Sequence, residues 1–288
     1  MEENGIVIVG NGFDVNHGLP SSYANFKEWL KNNDINLFDF LNTYIDVKGN
    51  WWNDFERSLS EFDIPKLIRE TPLEKSPRDS KLPPSFSHPA SWRLDSVRDA
   101  ISLKFTEWVK TLDGVEINKK IDLPEACLYI SFNYTDTLER VYGIKENKIV
   151  YIHGKASRGD KLIYGHGKSQ FELEYDVMKK YNLHRSDDFF TAGSFGDSES
   201  ELTSRVSYWQ KYIQLGLYYN VLRPAVSGAS NVCVYGLSFS IVDFPYLQWI
   251  VEINPNLKWR VSWHSENDKK CISEILRTLR AVYELFYM

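Results

Sequence analysis

Two polar residues stand directly behind apolar runs in the middle of the chain, Asn133 after residues 127–132 and His153 after residues 149–152. A side-chain amide can hold a hydroxyl group or a water molecule. An imidazole titrating near neutrality can take a proton from either. Glycine-rich segments follow two further apolar runs: Gly10-Asn11-Gly12-Phe13-Asp14 after residues 6–9, and Gly236-Leu237-Ser238-Phe239-Ser240 after residues 232–235. Glycines let a backbone approach an anion closely, and the free N–H groups of a strand–turn–helix junction attract phosphate. Both patterns have plainer readings. Asn133 could cap a helix over 134–141, His153 could be satisfied in a turn, and Asn11 and Asp14 could bond their own backbone. The dinucleotide fingerprint also expects a third glycine where this chain has Val15.

The elements that must position these residues follow from hydrophobic periodicity. Strands are expected at 6–9, 127–132, 149–152, 162–164, 232–235 and 257–263. Helices are expected at 21–31, where Ser21 and Ser22 can cap, and at 36–47, 51–69, 92–112, 171–181, 200–222, 244–253 and 267–285. Alternation of this kind predicts a Rossmann-like α/β fold with a mostly parallel sheet and right-handed crossovers. In a parallel sheet all carboxyl ends share one edge, where ligands bind. The four polar segments are therefore expected to converge on one crevice. The helical blocks at about 21–112 and 171–222 exceed what crossovers need and read as a helical layer inserted into a single domain over 1–288. Residues 71–92, with five prolines, read as a long mobile loop.

Composition narrows the function. The net charge is −5 and the basic residues are scattered, which argues against a nucleic-acid groove. Cys127, Cys233 and Cys271 stand far apart with no CxxC pair, so no structural zinc site is expected and no metal is needed. Two of the three lie in apolar runs and read as buried thiols of a reduced, cytoplasmic protein. No signal peptide and no apolar run of membrane-spanning length is evident. The many aromatic residues, Trp51-Trp52 and Trp209 among them, read mainly as core.

Several of these segments resemble the NAD-binding motifs of sirtuins. GNGFDVNHGLP is similar to their GAGxSxxxGIPDFR, with Gly10, Gly12, Gly18, Leu19 and Pro20 matching in order and spacing. SFNYTDTLE is similar to TQNIDxLE at Asn133, Leu138 and Glu139. YIHG places His153 on the catalytic histidine, and GLSFSIVDFP resembles GTSLxVxP at Gly236 and Ser238. The chain departs from sirtuins in three ways: it lacks the four-cysteine zinc module, it has Thr135 in place of the NID aspartate, and Ser21-Ser22-Tyr23 replaces DFR. Over most of its length the chain resembles the bacterial AbiH family of phage abortive infection. GNGFD, WWNDFE, FNYT, IHG and GLSFSIVD occur in that family's order.

These resemblances imply an abortive-infection protein that binds NAD and hydrolyses it to nicotinamide and ADP-ribose. Asn133 and His153 would be catalytic; Gly10, Asn11, Gly12, Phe13, Asp14, Pro20, Gly236 and Ser238 would hold the dinucleotide. NAD depletion would halt the infected cell. Such an activity must be held off until triggered, and self-association or the 71–92 loop are candidate brakes; a homo-oligomer or a defence-system partner is the expected protein partner. Two alternatives stay open. One is a module that binds NAD, ADP-ribose or a nucleotide signal without cleaving it. The other is a metal-dependent nuclease-like toxin acting through Asp14, Asp54 and Glu56. His17 and His166 are candidate pocket members, and Asp243 reads either as lining the site or as the cap of the helix beginning near Phe244, the cap being the better fit.

Overall fold

In the computed structural model the residues described here are 5–71, 89–182, 184–185, 194–195 and 197–288. The chain forms two compact units. The first comprises Met1–Asn25, Thr106–Ile163 and Tyr212–Met288; the second comprises Phe26–Phe105 and Tyr164–Lys211. Most of the expected 71–92 loop lies outside the described residues, and Pro89 already opens the helix Pro89–Leu112.

The strands in chain order are β1 (Gly5–Val9), β2 (Leu128–Ser131), β3 (Ile149–Tyr151), β4 (His184–Arg185), β5 (Ser194–Phe195), β6 (Asn231–Tyr235), β7 (Lys258–Trp263) and β8 (Val282–Tyr287). The first unit holds a six-stranded sheet of order β3-β2-β1-β6-β7-β8 in which every pairing is parallel. Counting only these six strands, the order is 3-2-1-4-5-6, the doubly wound Rossmann arrangement, with its switch point between β1 and β6.

The strand sequences explain why both faces are covered. All five residues of β1 are buried, so it reads as a continuous apolar run rather than an alternating one. Its side chains still alternate. Ile6 and Ile8 join Ile130, Val150, Val232 and Val234 on one face, and Val7 and Val9 join Tyr129, Tyr151, Cys233 and Tyr235 on the other. The first face is covered by Leu222 and Val226 of helix Leu215–Gly228, Leu247 and Ile250 of helix Phe244–Ile253, and Ile272 and Leu276 of helix Glu266–Thr278. The second is covered by Phe13 of helix Asn11–Asn16 and by Leu138 and Tyr142 of helix Thr137–Tyr142. Cys127 and Cys233 are buried free thiols, and Cys271 is exposed.

Four expectations are corrected. Residues 162–164 are not a strand; Ile163 donates one backbone hydrogen bond to the His153 carbonyl (2.9 Å) and the pairing goes no further. The closing helix stops at Thr278, and the chain turns through Arg280 (φ 55°) into the edge strand β8. Leu276, Leu279, Tyr283 and Phe286 keep helical spacing across that turn, which hid it. The expected helix over 200–222 is two helices, Asp197–Ser207 and Leu215–Gly228. Between them His166 donates to the Trp209 carbonyl (3.1 Å) and accepts from the Lys211 N–H (2.8 Å), which holds the chain extended. Residues 51–69 form a 3₁₀ turn, Trp51–Asp54, a short helix, Phe55–Ser58, and a separate helix, Ile64–Glu70, rather than one helix.

The second unit is mainly helical and packs around aromatic rings. Phe26 meets Trp52, Phe55 and Phe105 edge-on, while Trp51 stacks on Trp52 at 4.2 Å. No helix among the described residues is long and apolar enough to cross a membrane.

Candidate functional site

Because β3, β2, β1 and β6 are adjacent and parallel, the segments after them lie side by side on one sheet edge. Backbone bonds fasten them together. Phe132 donates to Val9 (2.9 Å), Ile152 to Ser131 (2.9 Å), Gly10 to Tyr235 (2.9 Å) and Ala156 to Tyr134 (2.9 Å). The edge therefore brings together Gly10, Asn11, Gly12, Asp14, Asn133, His153 and Gly236.

Asp14 is 1% exposed. Its Oδ2 accepts from the Thr135 hydroxyl at 2.6 Å, and its Oδ1 is buried with no hydrogen-bond partner. Burial pushes this carboxyl up to about 6, opposed chiefly by the hydrogen bond from Thr135. Asn133 is also buried, and its Oδ1 likewise has no partner. Its backbone N–H donates to the Ser131 hydroxyl (3.2 Å), which fixes the turn. Asn133 is not a helix cap: the helix opens at Thr137, and its N-cap position is Asp136.

His153 is 1% exposed. Its Nε2 lies 3.2 Å from Asp243 Oδ1, and Asp243 Oδ2 accepts from the Ser240 hydroxyl at 3.0 Å. The Phe132 and Tyr246 rings lie steeply inclined to the imidazole, with centroids 5.3 and 6.0 Å from its own, so the His153 ring sits against aromatic neighbours. The His153 carbonyl is held by Ile163, whose own carbonyl accepts from the Tyr134 hydroxyl (3.0 Å). Asp243 corrects a sequence expectation. It occupies the N-cap position but makes no side-chain cap bond, its carboxylate being turned to His153 and Ser240. Phe239, just before Ser240, has φ 53°, unusual for a non-glycine residue, and its buried ring anchors that conformation.

The glycine turns carry a different geometry from the one expected. The Gly12 N–H donates to the Gly236 carbonyl at 2.8 Å. A Cβ on Gly12 would meet Gly236 Cα at 2.8 Å, and one on Gly236 would meet Phe13 N at 2.1 Å. These glycines bring two backbones together, and the Gly12 N–H is not available to a phosphate. Phe13 is core, with its ring against His17, Tyr142 and Tyr235. Asn11, Pro20 and Ser238 are exposed. His17 is buried, contacting Phe13 O and the Tyr142 hydroxyl, and burial lowers its pKa.

The bacteriophage abortive infection AbiH family model matches residues 6–263 of the 288. The chain belongs to the AbiH family. In this AbiH chain the match runs from β1 to the end of β7 and so includes all four strand-end segments. No curated protein matches the chain.

The remaining AbiH candidates lie in the second unit. Glu56 pairs with the buried Lys211 at 3.0 Å and Asp54 pairs with Arg57 at 3.4 Å. His166 is buried with Nε2 donating to Val206 O (2.9 Å), and burial lowers its pKa. Among the described residues no group of three or more His, Cys, Asp or Glu is arranged to hold a metal ion. Ser131, Ser240 and Ser262, whose hydroxyls bond into the strand-end turns, and Thr137, whose hydroxyl lies beside Thr135, were not among the sequence candidates. Ser262, for instance, accepts from the Gly236 N–H at 2.8 Å. Only their position just beyond or at the end of a strand could have flagged them.

Proposed function

We propose that this AbiH chain is a phage-defence effector that binds NAD at the carboxyl edge of β1, β2 and β3 and hydrolyses it to nicotinamide and ADP-ribose. One observation carries the reading. Asp14 Oδ1 and Asn133 Oδ1 are buried acceptors without donors, on neighbouring strand ends, and the next strand end carries a carboxylate-held histidine. Buried acceptors left alone cost about 1–3 kcal/mol each, so they call for a donor. Ribose hydroxyls and a reacting water are such donors. Nicotinamide is already cationic in NAD, so the bond from its ring nitrogen to ribose C1′ can break without a strong acid, the electron pair leaving on the ring. Water oxygen then bonds to C1′, and the proton it loses passes to an imidazole base. Asn133 and Asp14 fit the orienting role and His153 the base. The glycine turn does not fit a phosphate cradle at Gly12, so the pyrophosphate is not assigned to that N–H. Loss of NAD would halt an infected cell.

Incubating the full-length protein with NAD and following nicotinamide release tests the proposal. Release that survives EDTA supports it. NAD binding without release makes the chain a binding module, and cleavage of nucleic acid that EDTA abolishes makes it a nuclease-like toxin.

A further inference from the structure

The contact between His153 Nε2 and Asp243 Oδ1 determines more than the orientation of a ring. An ionised carboxylate only accepts hydrogen bonds. Asp243 receives the Ser240 hydroxyl on Oδ2 at 3.0 Å and meets His153 Nε2 with Oδ1 at 3.2 Å. With Asp243 ionised, the proton of a neutral His153 imidazole belongs on Nε2. We infer that Asp243 is a positioning residue that holds His153 as its Nε2–H tautomer and so makes Nδ1 the basic nitrogen. The assignment rests on the NAD reading for what Nδ1 does, though not for which nitrogen carries the proton.

Three features make the clamp firm. Asp243 and His153 are both buried, with the Phe132 and Tyr246 rings against the imidazole, and there an ionic hydrogen bond is stronger than in water. The Asp243 N–H donates to the Ser240 carbonyl (3.0 Å), so the carboxylate and its hydroxyl partner belong to one turn. The His153 backbone is fixed independently by Ile163. When Nδ1 takes a proton from water, the imidazolium that forms faces a carboxylate already in place, which is how a third group supports a histidine base in the catalytic triads.

Long-range ¹H–¹⁵N correlation on the full-length, ¹⁵N-histidine-labelled protein reads the tautomer directly, with no substrate present. The expected result is a protonated Nε2 and an unprotonated Nδ1 on His153 in the parent. In Asp243→Asn, whose amide can donate, the proton should move toward Nδ1, and kcat for nicotinamide release should fall on the order of 1,000-fold with KM little changed. A parent carrying its proton on Nδ1, or a tautomer indifferent to Asp243→Asn, overturns the inference. If Asp243→Asn does not fold, the parent spectrum still decides it, and Ser240→Ala, which leaves the carboxylate in place, should keep the proton on Nε2. A parent that shows the Nε2–H tautomer yet releases no nicotinamide sinks the NAD reading and leaves the positioning intact.

Discussion

Gly12 and Gly236 join the ends of β1 and β6 backbone to backbone, with the Gly12 N–H donating to the Gly236 carbonyl at 2.8 Å. This contact lies at the switch point of the sheet, where a doubly wound fold commonly binds its ligand. A Cβ on Gly12 would meet Gly236 Cα at 2.8 Å. Gly12→Ala should therefore lower stability by about 1–3 kcal/mol, the usual range for overpacking. Gly236→Ala, which adds a clash with Phe13 N and sits at φ 60°, should lower it further. Urea unfolding measures both, and a Gly12→Ala protein as stable as the parent would show the contact to be slack.

Asp14 predicts a pH dependence. Its carboxyl is raised from 3.8 to about 6 by burial, so the folded protein binds this proton more tightly than the unfolded chain. The stability it contributes is fully present below pH 4, is lost as pH rises from about 4 to 6, and stays lost above. The difference at pH 7 is about 3 kcal/mol. Asp14→Asn should therefore be more stable than the parent at pH 7, less about 1 kcal/mol for a weakened Thr135 bond. It should also lose part of the fall in stability between pH 4 and 6. Asp113, raised to about 6 by burial and by Asp136, adds a slope of the same sign. The comparison is therefore parent against variant at each pH, and identical profiles would count against a buried, raised Asp14.

Asn133→Ala and His153→Gln should each reduce nicotinamide release by on the order of 100-fold or more. The turn at Asn133 should survive, because its backbone N–H bonds Ser131 independently of the side chain. Melting temperatures measured alongside separate chemistry from folding. Activity that merely tracks the folded fraction would make both residues structural.

The pair Glu56–Lys211 should behave as a buried ion pair, since the side chains are 13% and 4% exposed. Lys211→Met takes the cation from a largely buried carboxylate and should cost about 3–5 kcal/mol. Glu56→Gln combined with Lys211→Met should recover much of that loss. A double-mutant cycle with no coupling would show the two charges to be independent.

The sequence alone was enough for the parallel sheet and for the edge where the polar segments gather. Buried strands in an α/β protein leave unbroken apolar runs, as at β1 and β6, and parallel pairing then puts their carboxyl ends on one side. The family was legible for the same reason, since its motifs follow those strands. The 3.6-residue period, however, ran on through Arg280 and through residues 208–214. What ends the helices there is a left-handed residue in one place and backbone pairing with His166 in the other. Neither leaves a mark in local composition.

At the site the division falls between residue type and partner. Sequence placed Asp14, Asn133 and His153 behind neighbouring strands, because order along the chain and parallel topology fix that much. It left Asp243 between a site residue and a helix cap, favouring the cap, and read Gly12 as a phosphate cradle, since an Asp before a helix and a glycine after a strand usually are those things. Tertiary structure decided otherwise. His153 and Asp243 are 90 positions apart, and Gly12 and Gly236 belong to strands that only the sheet makes neighbours. Hydrogen bonds and steric closeness between distant segments depend on how the strands pack, and sequence spacing carries no information about them.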